Sequence, residues 1–234
     1  MRHTLRTVIL AALVLLAAHA ASAQPVAVTI DTTKLAPAIT PWIFGGFMEP
    51  ATTGVWAEML ADRKFFAEVT SKPPAVATGG FGRRGPQRRW VPVGPDASVT
   101  MDRENAYVGE WSPAVRLEGA TPRGISQTGL TLRAGRAYTG RIALAGTPGA
   151  AVDISLIWGP NPGDRQIVSA RALTGRYAKV PLAFTAGADT SEGRLEIVGI
   201  GTGSFHVGVV SLMPADNVSG FKAATIRHLK ELGI

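Results

Sequence analysis

Val152-Asp153-Ile154-Ser155-Leu156-Ile157-Trp158 is the stretch whose reading sets the fold. Val152, Ile154, Leu156 and Trp158 fall on one side of an extended chain, and Asp153 and Ser155 fall on the other, which is the period of a half-buried strand. The same period appears over 137–145, where Tyr138, Gly140, Ile142 and Leu144 share a side. Working outward, strands are expected at 114–118, 130–133, 137–145, 152–158, 166–173, 178–185, 194–199 and 204–212. Gly129, Gly135, Gly146 and Gly159-Pro160-Asn161-Pro162-Gly163 supply turns between them. About eight strands of this kind predict a mainly β chain, built around a jelly-roll-like β-sandwich over 103–214.

Composition agrees with a globular domain. The 234 residues are 46% hydrophobic and include 27 Gly, 16 Pro and no Cys. This excludes a disulfide scaffold, a Cys-ligated zinc module and a disordered polymer. A net charge of +7 favours acidic partners without naming one.

At the N-terminus, Arg2 and Arg6 precede an apolar run over 8–18, and Ala21-Ser22-Ala23 offers small residues to signal peptidase. Residues 1–23 therefore read as a signal peptide cleaved after Ala23, giving a secreted or periplasmic product. The run is shorter than the roughly 20 residues that span a bilayer, so no membrane attachment is expected after cleavage.

Residues 24–70 begin with a short alternating strand over 26–31 and continue into Trp42-Ile43-Phe44-Gly45-Gly46-Phe47-Met48-Glu49-Pro50. Thr52 or Thr53 is placed to cap a helix to about Val69, with Val55, Trp56, Met59, Leu60, Phe66 and Val69 on its apolar face. Residues 71–102 are rich in Pro and Gly, lack periodicity, and read as a linker or loop. Arg83, Arg84, Arg88 and Arg89 lie in it, but a nucleic-acid surface would add aromatic platforms, and only Trp90 is close; no nucleic-acid partner is expected. Past Pro214, Ser219 is placed to cap a closing helix within 215–234, with Ala223, Ile226 and Leu229 on one side and Lys222, Arg227 and Lys230 towards water.

The chemistry is sparse. No nucleophile elbow, phosphate loop or paired-histidine motif occurs. His206 and His228, the two histidines beyond the signal, have no carboxylates at a metal-binding spacing, so neither a metal nor a cofactor is expected. Glu49 stands out as a carboxylate among apolar neighbours at a strand end, where it can accept hydrogen bonds from sugar hydroxyls or from backbone amides. Tyr107, Trp111 and Trp158 are candidates to stack on sugar faces, and each can instead serve as core; the parity that Trp158 shares with Ile154 and Leu156 favours burial for it.

Three stretches together carry a family resemblance: Phe44-Gly45-Gly46-Phe47-Met48-Glu49; Trp56-Ala57-Glu58-Met59 with Asp62-Arg63-Lys64-Phe65; and Val209-Val210-Ser211-Leu212-Met213-Pro214-Ala215-Asp216-Asn217. They resemble α-L-arabinofuranosidases of glycoside hydrolase family 51. The resemblance implies that 24–70 opens a (β/α)8 barrel, that the sandwich is a carbohydrate-binding-like insertion, and that the helix from Ser219 resumes the barrel. It implies that Glu49 contacts the arabinofuranose ring, although Pro50-Ala51-Thr52 replaces the usual His-Leu-Gly-like continuation. The family's acid/base and nucleophile glutamates come from later barrel strands, so no catalytic residue is expected in this chain. The expected function is that of the N-terminal portion of a secreted arabinofuranosidase acting on arabinose-containing plant cell-wall polysaccharides. A free-standing, non-catalytic carbohydrate-binding module is the alternative, and a non-binding spacer is a third reading.

Overall fold

The computed structural model describes residues 27–34, 37, 54–72 and 88–233. The chain divides into two units, Met1–Phe44 and Gly45–Ile234. In the first, Asp31 Oδ1 accepts hydrogen bonds from Thr33 N at 3.0 Å and Thr33 Oγ1 at 2.6 Å, closing a turn. The strand expected over 26–31 does not form in its described part, 27–31. Val28 and Ile30 are exposed, and an alternating pattern without a ladder partner has nothing to hold it extended.

Among its described residues the second unit contains β1 (Val91–Val93), β2 (Val99–Asp102), β3 (Ser112–Leu132), β4 (Ala137–Gly146), β5 (Ala151–Ile157), β6 (Arg165–Ala170), β7 (Ala178–Thr185), β8 (Thr190–Pro214), a 3-10 turn (Asp96–Ser98) and the α-helix α1 (Ala223–Glu231). Every strand pairing is antiparallel. β3 and β8 serve both layers of the sandwich. Their Arg123–Leu132 and Thr190–Ile200 portions form one layer, in the order β1-β3-β8-β5-β6. Their other halves form the second, in the order β2-β3-β8-β4-β7. The change of layer falls where Gly119 opposes Gly201, and register resumes at Arg123 opposite Gly199. Gly119 and Gly201 have φ of 69° and 109°, a left-handed region in which a Cβ is strained.

The strands expected at 114–118 and 130–133 are thus the two ends of β3, and those at 194–199 and 204–212 are the two halves of β8. Part of the stretch read as a linker also belongs to the sheet, since β1 and β2 are edge strands within 71–102. Three- and four-residue edges are too short to show a period in sequence.

The interior is a single apolar cluster. Val115, Ile142, Leu144, Leu182, Val207 and Leu212 of the second layer pack with Ile125, Val152, Ile154, Leu156, Leu195 and Ile197 of the first. These side chains are almost fully buried. Each such burial contributes about 1.5–3 kcal/mol relative to exposure, so the alternation read in sequence is also the main source of stability.

The helix expected from Thr52 or Thr53 to Val69 is absent over the described 54–69. The segment is an extended strap across the end of the sandwich. Lys222 N donates to Val55 O at 2.9 Å, Ala57 N to Gly220 O at 2.8 Å, and Met59 N to Leu212 O at 2.9 Å. Tertiary partners for the backbone displace the i to i−4 ladder, and Asp62 and Phe65, with φ of 46° and 57°, break any helical run. The buried set becomes Val55, Ala57, Leu60, Phe65 and Val69, whereas Trp56 and Phe66, placed on the expected stripe, are 43% and 71% exposed.

Two polar side chains fix the strap. Glu58 Oε1 accepts from Leu212 N and Leu60 N, both at 3.1 Å, and Oε2 accepts from Ser211 Oγ at 2.7 Å and Arg63 at 3.2 Å. Gln127, fully buried in β3, uses both ends of its amide on one residue. Its Oε1 accepts from Ala61 N at 2.8 Å and its Nε2 donates to Ala61 O at 2.9 Å. α1 begins at Ala223 after Lys222 rather than at Ser219, because Ser219 and Gly220 hold φ of 51° and 89°, outside the helical region, and the Gly220 carbonyl accepts from Ala57 N of the strap.

Gln127→Leu keeps the volume but leaves the Ala61 amide N–H without its partner, a cost of about 1–3 kcal/mol. Urea unfolding is expected to show that loss. Limited proteolysis of the wild-type chain is expected to protect a core that starts near Gly54, and the Gln127→Leu variant to be cut within the strap.

Candidate functional site

The outward face of the β2-β3-β8-β4-β7 layer carries two adjoining clefts and a smaller pocket. Ala145 of β4, His206 of β8, Ala114 of β3 and Thr100 of β2 oppose one another in register and form one row across four strands. Alternation brings these residues outward because Val115, Leu144, Phe205 and Val207 beside them point into the core. Three small side chains in the row leave His206 standing in a trough. One cleft along it, of about 660 Å³, is lined by Asn105, Thr147, Arg176, Tyr177, Ser204 and His206 among others. A second, of about 600 Å³, continues past His206 and Ser204 to Thr100, Ala114 and Arg116.

His206 is held by Asp102 at the end of β2, with Nε2 2.8 Å from Oδ2. Asp102 also accepts from Asn105 Nδ2 at 3.0 Å and from Glu104 N at 2.8 Å. These bonds, the Asn105 amide first and then the His206 ring, outweigh partial burial and hold the Asp102 carboxyl at about 2, below its ordinary 3.8. An ionised Asp102 only accepts hydrogen bonds, so the His206 proton sits on Nε2 when the ring is neutral. The loop is fixed from its other side by Tyr177, whose hydroxyl donates to Asn105 O at 2.7 Å.

Next to the trough, Tyr107 and Tyr177 meet in a tilted pair with centroids 5.0 Å apart. They cross over Gly208, the extra residue where β8 bulges against Ala143 and Leu144. A Cβ at Gly208 would lie 2.4 Å from Tyr107 Cβ, so glycine is what lets the pair settle on the sheet. Beyond the pair is a pocket of about 240 Å³ between β4, β7, β8 and the strap.

Of the aromatics singled out in sequence, Tyr107 is thus half of this pair, packed against the sheet. Trp111 lies under the Arg103 guanidinium, 4.0 Å from its ring centroid, and does not line the trough. Trp158 is half-buried against the core and against Gly187, on the other layer. The structure does not bring Tyr107, Trp111 and Trp158 together. Glu49 lies outside the described residues, as do Arg83 and Arg84. Sequence reasoning missed Asp102, Asn105, Arg176 and Tyr177 as site residues and did not give His206 this role. The available signal was His206 at an outward position in an otherwise apolar strand.

No protein-family model matches the sequence, and no curated protein sequence does. Among solved structures, the arabinose-bound α-L-arabinofuranosidase MgGH51 aligns at a TM-score of 0.55 and 16% identity, over 78% of this chain and 31% of its own. The N-terminal cellulose-binding domain of Cellulomonas fimi β-1,4-glucanase C aligns at 0.40 and 20% identity, over 55% of this chain and 90% of that domain. The family 22 binding module and family 10 catalytic module of Clostridium thermocellum xylanase 10B, complexed with xylohexaose, align at 0.44 and 16% identity, over 55% of this chain and 26% of theirs. These are likenesses of fold: the chain is a β-sandwich of the carbohydrate-binding-module kind, and it spans about a third of the length of the arabinofuranosidase.

The depressed Asp102 value sets a pH window. The charged form is favoured by folding, so its contribution is complete above about pH 4 and is lost as pH falls through about 2. Allowing for solvent screening of a partly exposed group, it amounts to about 1 kcal/mol. Urea unfolding at pH 4 and pH 2 is expected to show this loss in the wild type, and Asp102→Asn to lack that component.

Proposed function

We propose that this chain is the N-terminal, sandwich-bearing portion of a secreted arabinofuranosidase-like glycoside hydrolase, and that the His206 trough holds its arabinose-containing plant polysaccharide. The observation that carries the reading is how the sandwich is entered and left. Residues 55–59 on the way in hydrogen-bond directly to Leu212, Gly220 and Lys222 on the way out. Trp56 stacks on Phe221 across the same seam, with centroids 4.5 Å apart. Adjacent entry and exit let a domain sit within a host chain without interrupting it, which a free-standing binding module does not require. The likeness to the arabinofuranosidase supports the same reading, because it extends over more of the chain than the sandwich alone.

The trough suits a neutral sugar chain. Asn105, Thr147, Ser204 and His206 provide donors and acceptors, Arg116 and Arg176 provide donors at either end, and a floor of small residues admits a ribbon-like ligand. Asp102 keeps His206 oriented before the ligand arrives, which reduces the ordering cost of binding.

Affinity electrophoresis of the whole chain in gels containing arabinoxylan or arabinan is expected to retard the wild type. His206→Ala is expected to weaken binding at least about tenfold, by removing a pre-oriented hydrogen-bonding group, while Trp111→Ala leaves it unchanged. Equal retardation of wild type and His206→Ala removes the trough from the reading. A second assay concerns turnover: the family's two catalytic glutamates have no assigned counterpart in this sequence, so the purified chain is expected to release no arabinose from an aryl α-L-arabinofuranoside. Release would overturn the non-catalytic assignment.

A further inference from the structure

The pocket beyond the tyrosine pair differs in chemistry from the trough. Arg63, Lys64, Arg141 and Lys179 line it, and no carboxylate does. Arg63 is paired with Glu58 at 3.2 Å. Lys64, Arg141 and Lys179 have no ion-pair partner among the described residues. Arg141 and Lys179 come from adjacent strands, with Ala143 directly opposite Lys179, so their outward side chains stand over the same small floor. Tyr107, Ala143 and Val209 form the other walls.

Three unpaired cations around one small concavity repel one another and are offset by an anion that enters it. The apolar walls add a second requirement, since a bare, strongly hydrated anion gains nothing from Tyr107 and Val209. A ligand that places a carboxylate among cations and a C–H face against a tyrosine meets both. We propose that this pocket is a subsite for a uronic acid residue, its carboxylate held by Arg141 and Lys179, in a glycan that continues over the tyrosine pair into the His206 trough.

This rests on the trough being a glycan site, and it adds that the preferred glycan is acidic. Arg141 supplies planar paired donors suited to a carboxylate, and Lys179 supplies a point charge beside it. Gly208 is part of the device, because its missing Cβ keeps the tyrosine pair low enough for one ligand to reach both sides.

The test is calorimetric titration of the whole chain with trigalacturonic acid and with its methyl ester, which has the same rings without the charge. The acid is expected to bind at least about tenfold more tightly than the ester, with the difference shrinking as salt rises. Arg141→Met with Lys179→Met, both exposed positions, is expected to abolish the difference while leaving ester binding and arabinoxylan retardation intact. Equal affinity for acid and ester, or a preference that survives the double substitution, overturns the uronate subsite without touching the trough. If heparin and single-stranded RNA of matched charge bind as well as the acid, the face is a general polyanion surface and the proposal fails. If no glycan, neutral or acidic, binds, this proposal and the trough reading fall together.

Discussion

The pairing of β3 with β8 is the constraint on which everything else hangs. Each strand runs through both layers, so each layer's central ladder is one end of the same pair. A shift of register at one end would pass through Gly119 and Gly201 and turn inward-facing residues outward at the other. The single core follows, because the two layers cannot separate without breaking continuous backbone. The trough follows too: His206 faces outward opposite Ala114 only in this register.

The strap shows how tertiary hydrogen bonds override a local tendency. Residues 55–69 carry apolar side chains at spacings that a helix would align, but a helix there would leave the Leu212 amide and the Gln127 amide without partners. The extended form satisfies them through Glu58 and Ala61. It also carries Phe65 into full burial beside Trp90, with ring centroids 5.6 Å apart. A buried amide that finds no partner costs about as much as several residues of helix propensity supply, so the contest goes to the sheet.

The outward face of the second layer is organised by what is small. Ala114, Ala143 and Ala145 leave room above the sheet, and Gly208 lets the Tyr107–Tyr177 pair settle between the two surfaces. The His206 side of the tyrosine pair mixes neutral polar groups with Arg116 and Arg176 at its ends, and the other side draws Arg63, Lys64, Arg141 and Lys179 around one small concavity. The same sandwich therefore presents two chemically distinct surfaces in line, and the fold by itself specifies neither.

The sequence by itself determined the strands that alternate over five or more residues, since inward and outward positions are written directly into 137–145 and 152–158. It also determined the closing helix and the absence of cysteine chemistry. Only the tertiary structure decided that four of the expected strands are two, that 54–69 is a strap, that β1 and β2 complete the edges, and that Asp102 reaches His206. The physical reason is range. Alternation is a property of neighbouring residues, whereas the Asp102–His206, Gln127–Ala61 and Glu58–Leu212 contacts join residues 66 to 154 positions apart, and nothing local to either partner records the other.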